Sequence, residues 1–150
     1  MSKFFSFRNI AFGLPASLFI VNLILTVALY IDDPMRTPVI GPYLSAAMHF
    51  SGGVTMAILF FYFVQKIPEL KVLLKKYAVI LILALGFVAL AGVLWELYEY
   101  FLDITLGDTG ILPFVQSTID DTMADFFFDL LGGLATSIIV LKVLRKGYFK

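Results

Sequence analysis

The sequence predicts an all-α integral membrane protein, a four-helix bundle with both termini in the cytoplasm. Three observations predict it. Of 150 residues, 61% are apolar and 15% charged, against roughly 25% charged in a soluble domain. The apolar residues gather into four long runs, and Lys and Arg fall almost wholly on one side of them. The lack of Cys excludes disulfide-stapled secreted modules, zinc ribbons and thioredoxin-type sites. Sixteen Phe exclude a disordered tail. Four spans of ~20 residues use most of the chain, so residues 1–150 form a single domain.

The runs are 10–31, 43–64, 77–102 and 123–144, each long enough to cross a hydrocarbon core of ~30 Å. Turn-forming residues separate them: Asp-Asp-Pro-Met-Arg-Thr-Pro at 32–38, Gln-Lys-Ile-Pro-Glu at 65–69, and 107–113 with two glycines and a proline. The first run is too long for a cleavable signal peptide and no small-residue cleavage site follows it, so it is expected to stay in the mature protein.

Cytoplasmic loops hold Lys and Arg preferentially. Lys3, Arg8, Lys66, Lys71, Lys75, Lys76, Lys142, Arg145, Lys146 and Lys150 lie at the N-terminus, the second loop and the C-terminus, and Arg36 alone lies opposite. Ten of the eleven basic residues thus share the cytoplasmic side with one acid, Glu69, while ten acids share the other with Arg36. A formal net charge of zero therefore conceals about +9 facing about −9. The basic side reads as topology and anionic-lipid contact and not as nucleic-acid binding.

The acidity concentrates inside the spans. With the second span running inward, His49 lies about 8–10 Å below its outer end at 1.5 Å per residue. Glu96 and Glu99 lie at similar depth in the third span, with Asp103 at the surface. Asp121, Asp125 and Asp129 occupy the first two turns of the fourth. Glu96, Glu99 and Asp103 follow i, i+3, i+7 and the three aspartates i, i+4, i+8, so each set is a stripe on one helix face. A charge in a span costs at least ~2.5 kcal/mol, so such stripes face a bundle interior. No Lys or Arg lies between 77 and 141. Two remedies for the repulsion are open: protons on some carboxylates, or a bound cation. Oxygen ligands suit Mg²⁺, Ca²⁺ or Mn²⁺, and a histidine added to them admits Zn²⁺ or Fe²⁺. The candidate metal ligands are His49, Glu96, Glu99, Asp125 and Asp129, and the candidate catalytic residues are His49, Glu96 and Asp125.

Several of these residues also have plainer readings. His49 alone reads as an interhelical hydrogen-bonder, and only its shared depth with the carboxylates makes it a ligand. Asp103, Asp120 and Asp121 also read as solvated residues or N-caps, Asp120 above all. Ser45, one turn before His49, allows a Ser/His nucleophile pair. Trp95, Tyr98 and Tyr100 read as interfacial belt aromatics, and Asn22 as a helix-packing hydrogen bond. His49-x-x-Gly52-Gly53 and Asp129-x-x-Gly132-Gly133 share one spacing on two spans that run the same way. Paired glycines let helix backbones approach, so the polar residues are expected to meet above Gly-Gly contacts.

The pattern His49-Phe50, Trp95-Glu96-x-x-Glu99 and Asp125-x-x-x-Asp129-x-x-Gly132 resembles that of the VanZ-like small membrane proteins and the related YjdF-like proteins, over roughly two-thirds of the chain. Glu99 and Asp129 stand where many VanZ-like members have amides, and Ser45 where they often have an acid, which points to the YjdF-like branch. The resemblance implies a shared site and names no reaction.

Three functions compete. The first is a divalent-metal-dependent enzyme (Mg²⁺, Mn²⁺, Ca²⁺ or Zn²⁺) acting on a lipid-linked or envelope substrate at the outer leaflet. The second is a cation or proton transport component, which with four spans needs a homo-oligomer. The third is a noncatalytic envelope or partner-binding protein. Below Asp129 and Glu96 the spans offer only Thr, Ser and Gly until the cytoplasmic end, which favours a one-sided site over a continuous pathway. All three place the chain in the cell membrane, among lipids.

The topology has a direct test. Single cysteines introduced at 32–42, in a chain with none of its own, are expected to react with a membrane-impermeant reagent from outside the cell. Protection there, with labelling at 66–76 instead, would invert the topology.

Overall fold

A computed structural model describes residues 37–106 and 118–145. Within the first run it describes only 13, 14, 17, 18, 20, 21 and 24, all helical. The first span as a continuous element, Asn22, residues 32–36 and the separator at 107–117 lie outside the described residues. Every described element is helical: α1 (Thr37–Lys66), a one-turn α2 (Pro68–Lys71) continued by a 3₁₀ turn (Val72–Lys75), α3 (Tyr77–Leu106) and α4 (Ile119–Arg145). Among the described residues three helices are long and apolar enough to cross a membrane: Pro42–Lys66, Tyr77–Thr105 and Ile119–Leu144. Their 25, 29 and 26 residues amount to roughly 38–44 Å of helix against a hydrocarbon core of ~30 Å.

The breaks have local causes. Ile67 is extended (φ −99°, ψ 109°) because Pro68 disfavours the helical region for the residue before it, while proline itself suits a first helical turn. The start of α4 is capped by Thr118, whose Oγ1 accepts the Asp121 N–H at 3.2 Å. Asp120 and Asp121 then occupy the first turn, where the helix dipole favours negative charge. Asp120 is exposed, and Thr118 is the cap. The helices overrun the apolar runs: α1 starts at Thr37 rather than Tyr43, α3 continues past Leu102 to Leu106, and α4 starts at Ile119 rather than Met123. An apolar run measures the hydrocarbon slab. A helix continues into the headgroups because it satisfies its own backbone.

Helices α1 and α4 run the same way, and α3 runs against both. The pairs Ser45–Asp125 and His49–Asp129 fix a register of 80 residues between α1 and α4. Residues Phe61 and Leu141 of the main core cluster share the same offset. That register sets Gly52-Gly53 beside Gly132-Gly133, and the backbones there nearly touch. A Cβ on Gly53 would collide with the Asp129 carbonyl oxygen, and one on Gly132 with the Phe50 carbonyl oxygen. On the third side, a Cβ on Gly133 would lie 2.9 Å from Val88 of α3.

The glycine layer divides the interior. On its Lys66 side lies an apolar core of Phe61, Val64, Ile80, Ala84 and Leu141, covered by Leu70, Leu73 and Leu74 of the α2 segment. On the other side lie His49, Glu96, Glu99, Asp125 and Asp129, buried and ionisable.

Close approach dictates the cost of filling it. Gly53→Ala and Gly132→Ala are each expected to destabilise the protein by about 1–3 kcal/mol in reversible unfolding from detergent micelles. Gly86→Ala, where an added Cβ meets nothing within 4 Å, is expected to stay level or to gain up to ~1 kcal/mol from helix propensity. Equal effects at Gly53 and Gly86 would contradict the approach of α1 and α4.

Candidate functional site

The site grows from one histidine. His49 stands on the buried face of α1, 6% exposed, and carboxylates from two other helices surround its ring. Asp129 Oδ2 of α4 lies 3.3 Å from Nδ1. On the opposite ring edge, Asp125 Oδ2, also of α4, lies 3.5 Å from Nε2, and Glu96 Oε1 of α3 lies 3.9 Å from it. The i, i+4 spacing puts Asp125 and Asp129 on one face of α4, and the parallel register delivers both to His49. Glu96 reaches the same level from the antiparallel α3.

Two further side chains hold the carboxylates. Ser45 Oγ donates to Asp125 Oδ1 at 2.8 Å, so the serine engages the aspartate, and the aspartate stands between it and His49. Trp95 Nε1 donates to Glu99 Oε1 at 2.8 Å, one helical turn along α3. Hydrogen bonds to a charged acceptor are worth about 1.5–3 kcal/mol each, which makes both donors substantial to the site. Glu99 lies close to His49 and Glu96. A ligating atom from each of these three residues falls within 4.8 Å of the other two, a spacing that admits a metal ion.

Asp129 sits where the three helices come nearest. A Cβ on Gly92 of α3 would lie 2.6 Å from Asp129 Oδ2 and 3.4 Å from Phe126, and one on Gly52 would lie 3.4 Å from Asp129 Oδ1. With Gly53 against its backbone, the aspartate rests in a cradle of three glycines from two helices. A side chain at Gly92 would crowd the carboxylate oxygen that faces His49.

The structure therefore brings together His49, Glu96, Glu99, Asp125 and Asp129 on one level, from three helices, as their spacing and shared depth imply. The outer members of the stripes, Asp103 and Asp121, are half-buried, and Asp120, outside both stripes, is exposed. Tyr98 and Tyr100 are exposed, as expected of belt aromatics. Trp95 is half-buried and bound to Glu99, which the belt reading does not foresee. Its i, i+4 relation to Glu99 was the available signal. Gly92 had a weaker one: a glycine one turn before Glu96, the second of the span after Gly86.

Chemically, this is one imidazole and four carboxylates in an apolar surround. No Lys or Arg occurs in the sequence of α1 before Lys66, in α3, or in α4 before Lys142. The donor set is mixed nitrogen and oxygen. It suits Mn²⁺, Fe²⁺ or Zn²⁺ through the histidine, and Mg²⁺ or Ca²⁺ through the carboxylates.

A family model described as "Predicted membrane protein (DUF2238)" matches residues 7–146. No curated protein and no solved structure matches the chain. With that match spanning nearly the whole sequence and three apolar helices long enough to cross a bilayer, the chain is a multi-pass membrane protein and belongs to the DUF2238 family of predicted membrane proteins.

Proposed function

We propose that the protein is a divalent-metal-dependent membrane enzyme, with its metal held by His49, Glu96, Glu99 and Asp125 in the outer half of the bundle, acting on a lipid-linked or envelope substrate at the outer leaflet. One observation carries this reading: both ring nitrogens of His49 face carboxylate oxygens. A neutral imidazole has one N–H and one lone pair. If Nδ1–H donates to Asp129, the Nε2 lone pair points at Asp125 and Glu96, which is repulsive unless positive charge lies between them. The spacings there are 3.5 and 3.9 Å. Ligands held at 2.0–2.2 Å around a tetrahedral cation stand about 3.4 Å apart, so the space beside Nε2 has room for an ion.

A cation at that point acidifies bound water and polarises a phosphoryl or acyl oxygen. Asp125, held by Ser45, and Glu96 are the groups placed to take the proton that water gives up. The positive-inside distribution supports an outward-facing site. Among the described residues, the buried polar groups beyond the glycine layer are the hydroxyls of Thr55, Thr136 and Ser137 and, near the helix end, the Gln65 amide, with no ionisable side chain, which supports a one-sided centre over a transmembrane path. The spacing of His49-Phe50, Glu96-x-x-Glu99 and Asp125-x-x-x-Asp129 supports placing the chain beside the VanZ-like and YjdF-like proteins.

The metal is testable through the protein's one tryptophan, which donates to Glu99. Titrating purified protein with Mn²⁺ or Zn²⁺ is expected to change Trp95 emission saturably, and EDTA to reverse the change and lower the melting temperature. A ligand bound only to the folded form adds ~2.7 kcal/mol at a hundredfold excess over Kd. Glu96→Gln and Asp125→Asn should abolish both responses together. Emission and melting indifferent to metal and chelator, with the two amides stabilising the protein by relieving repulsion, would contradict the metal and the enzyme with it.

A further inference from the structure

We propose that Asp129 is the positioning residue of this site: from its glycine cradle it holds the His49 ring with Nδ1–H toward itself and thereby presents Nε2 to Glu96 and Asp125 as the ligand face. The inference rests on the metal reading above and divides its five residues into two roles. The first support is geometric. Asp129 meets His49 on the Nδ1 edge at 3.3 Å, while Glu96 and Asp125 meet it on the Nε2 edge. The two edges of an imidazole point away from each other, so an ion on Nε2 is out of reach of a carboxylate bonded at Nδ1.

The second support is independent of the ring. Gly52, Gly53 and Gly92 each leave out a side chain where Asp129 sits. A Cβ at Gly92 alone would meet Oδ2, the oxygen that faces His49, at 2.6 Å. The glycines of α1 and α3 thus leave the room in which Asp129 sits against His49. Metal-bound histidines commonly donate their other N–H to a carboxylate, which sets the tautomer and raises ligand basicity. Asp129 has the atom, the distance and the rigid seat for that part.

His49 is the only histidine in the chain, so ¹⁵N-histidine labelling of the full-length protein in micelles yields one imidazole to follow. The proton is expected on Nδ1 both without metal and with Zn²⁺ added, and Zn²⁺ is expected to move the Nε2 resonance. Asp129→Asn and Gly92→Ala, which leave every ligand in place, should each weaken Zn²⁺ binding about 10- to 100-fold at unchanged one-to-one stoichiometry, while Glu96→Gln removes binding. An unprotonated or metal-bound Nδ1 in the wild type would overturn the proposal, as would Asp129→Asn abolishing binding as completely as Glu96→Gln. A protonated Nδ1 beside an Nε2 that ignores Zn²⁺ would sink the metal reading and leave the hold of Asp129 on the ring standing.

Discussion

Carboxylates inside a membrane bundle have to be neutralised by protons or balanced by a cation, and the geometry of this protein follows from how few answers its sequence allows. Neither α3 nor α4 before Lys142 contains a Lys or Arg, so Glu96, Glu99, Asp125 and Asp129 share one histidine among them. Each charge left facing lipid at mid-span would cost roughly 2.5–3.5 kcal/mol. Turning all four toward one interior point removes that cost but adds their mutual repulsion. The proposed ion would offset the repulsion at a single position, between His49 Nε2, Asp125 and Glu96.

Close helix contact is what makes one point available to three helices. Without a hydrophobic force between helices in lipid, packing relies on small residues and on polar bonds across the contact, and here the two occur at successive levels of one crossing. The Gly52-Gly53 and Gly132-Gly133 layer brings α1 and α4 almost into backbone contact. One turn away, the same register pairs His49 with Asp129, and two turns away Ser45 with Asp125. On the other side of the layer, Phe61, Val64, Ile80, Ala84 and Leu141 close the interior. The polar cluster therefore stands on a packed, largely apolar floor, a surround in which charges act on one another more strongly than in water.

Much of this was legible before any coordinates. Three of the four apolar runs are seen as long helices, because hydrocarbon tolerates little else, and the first lies largely outside the described residues. The shared level of His49, Glu96, Glu99, Asp125 and Asp129 followed from 1.5 Å of rise per residue, and the paired Gly-Gly spacing anticipated the contact beneath them. Helix ends were less legible, since Thr37 and Ile119 begin helices outside the apolar slab. The partner of Trp95 had only its i, i+4 relation to Glu99 as a signal, and that of Ser45 was not legible. An indole near a span end suits the interface as well as it suits a buried carboxylate, and a serine one turn from a histidine is also within reach of the neighbouring helix. Gly92 was hidden for a similar reason, because its purpose lies in the room it leaves for Asp129, a residue on another helix. Interhelical roles are set by rotation about the helix axis, which periodicity constrains only to a face.

The central claim, that a cation occupies the space between His49 and its carboxylates, is tested most directly by an anomalous difference map from crystals of the protein grown with Mn²⁺ or Zn²⁺. The account predicts a single peak within bonding distance of His49 Nε2 and Glu96, with Asp129 remaining on Nδ1. A featureless map at that position, with the carboxylates drawn together by short hydrogen bonds, would contradict it.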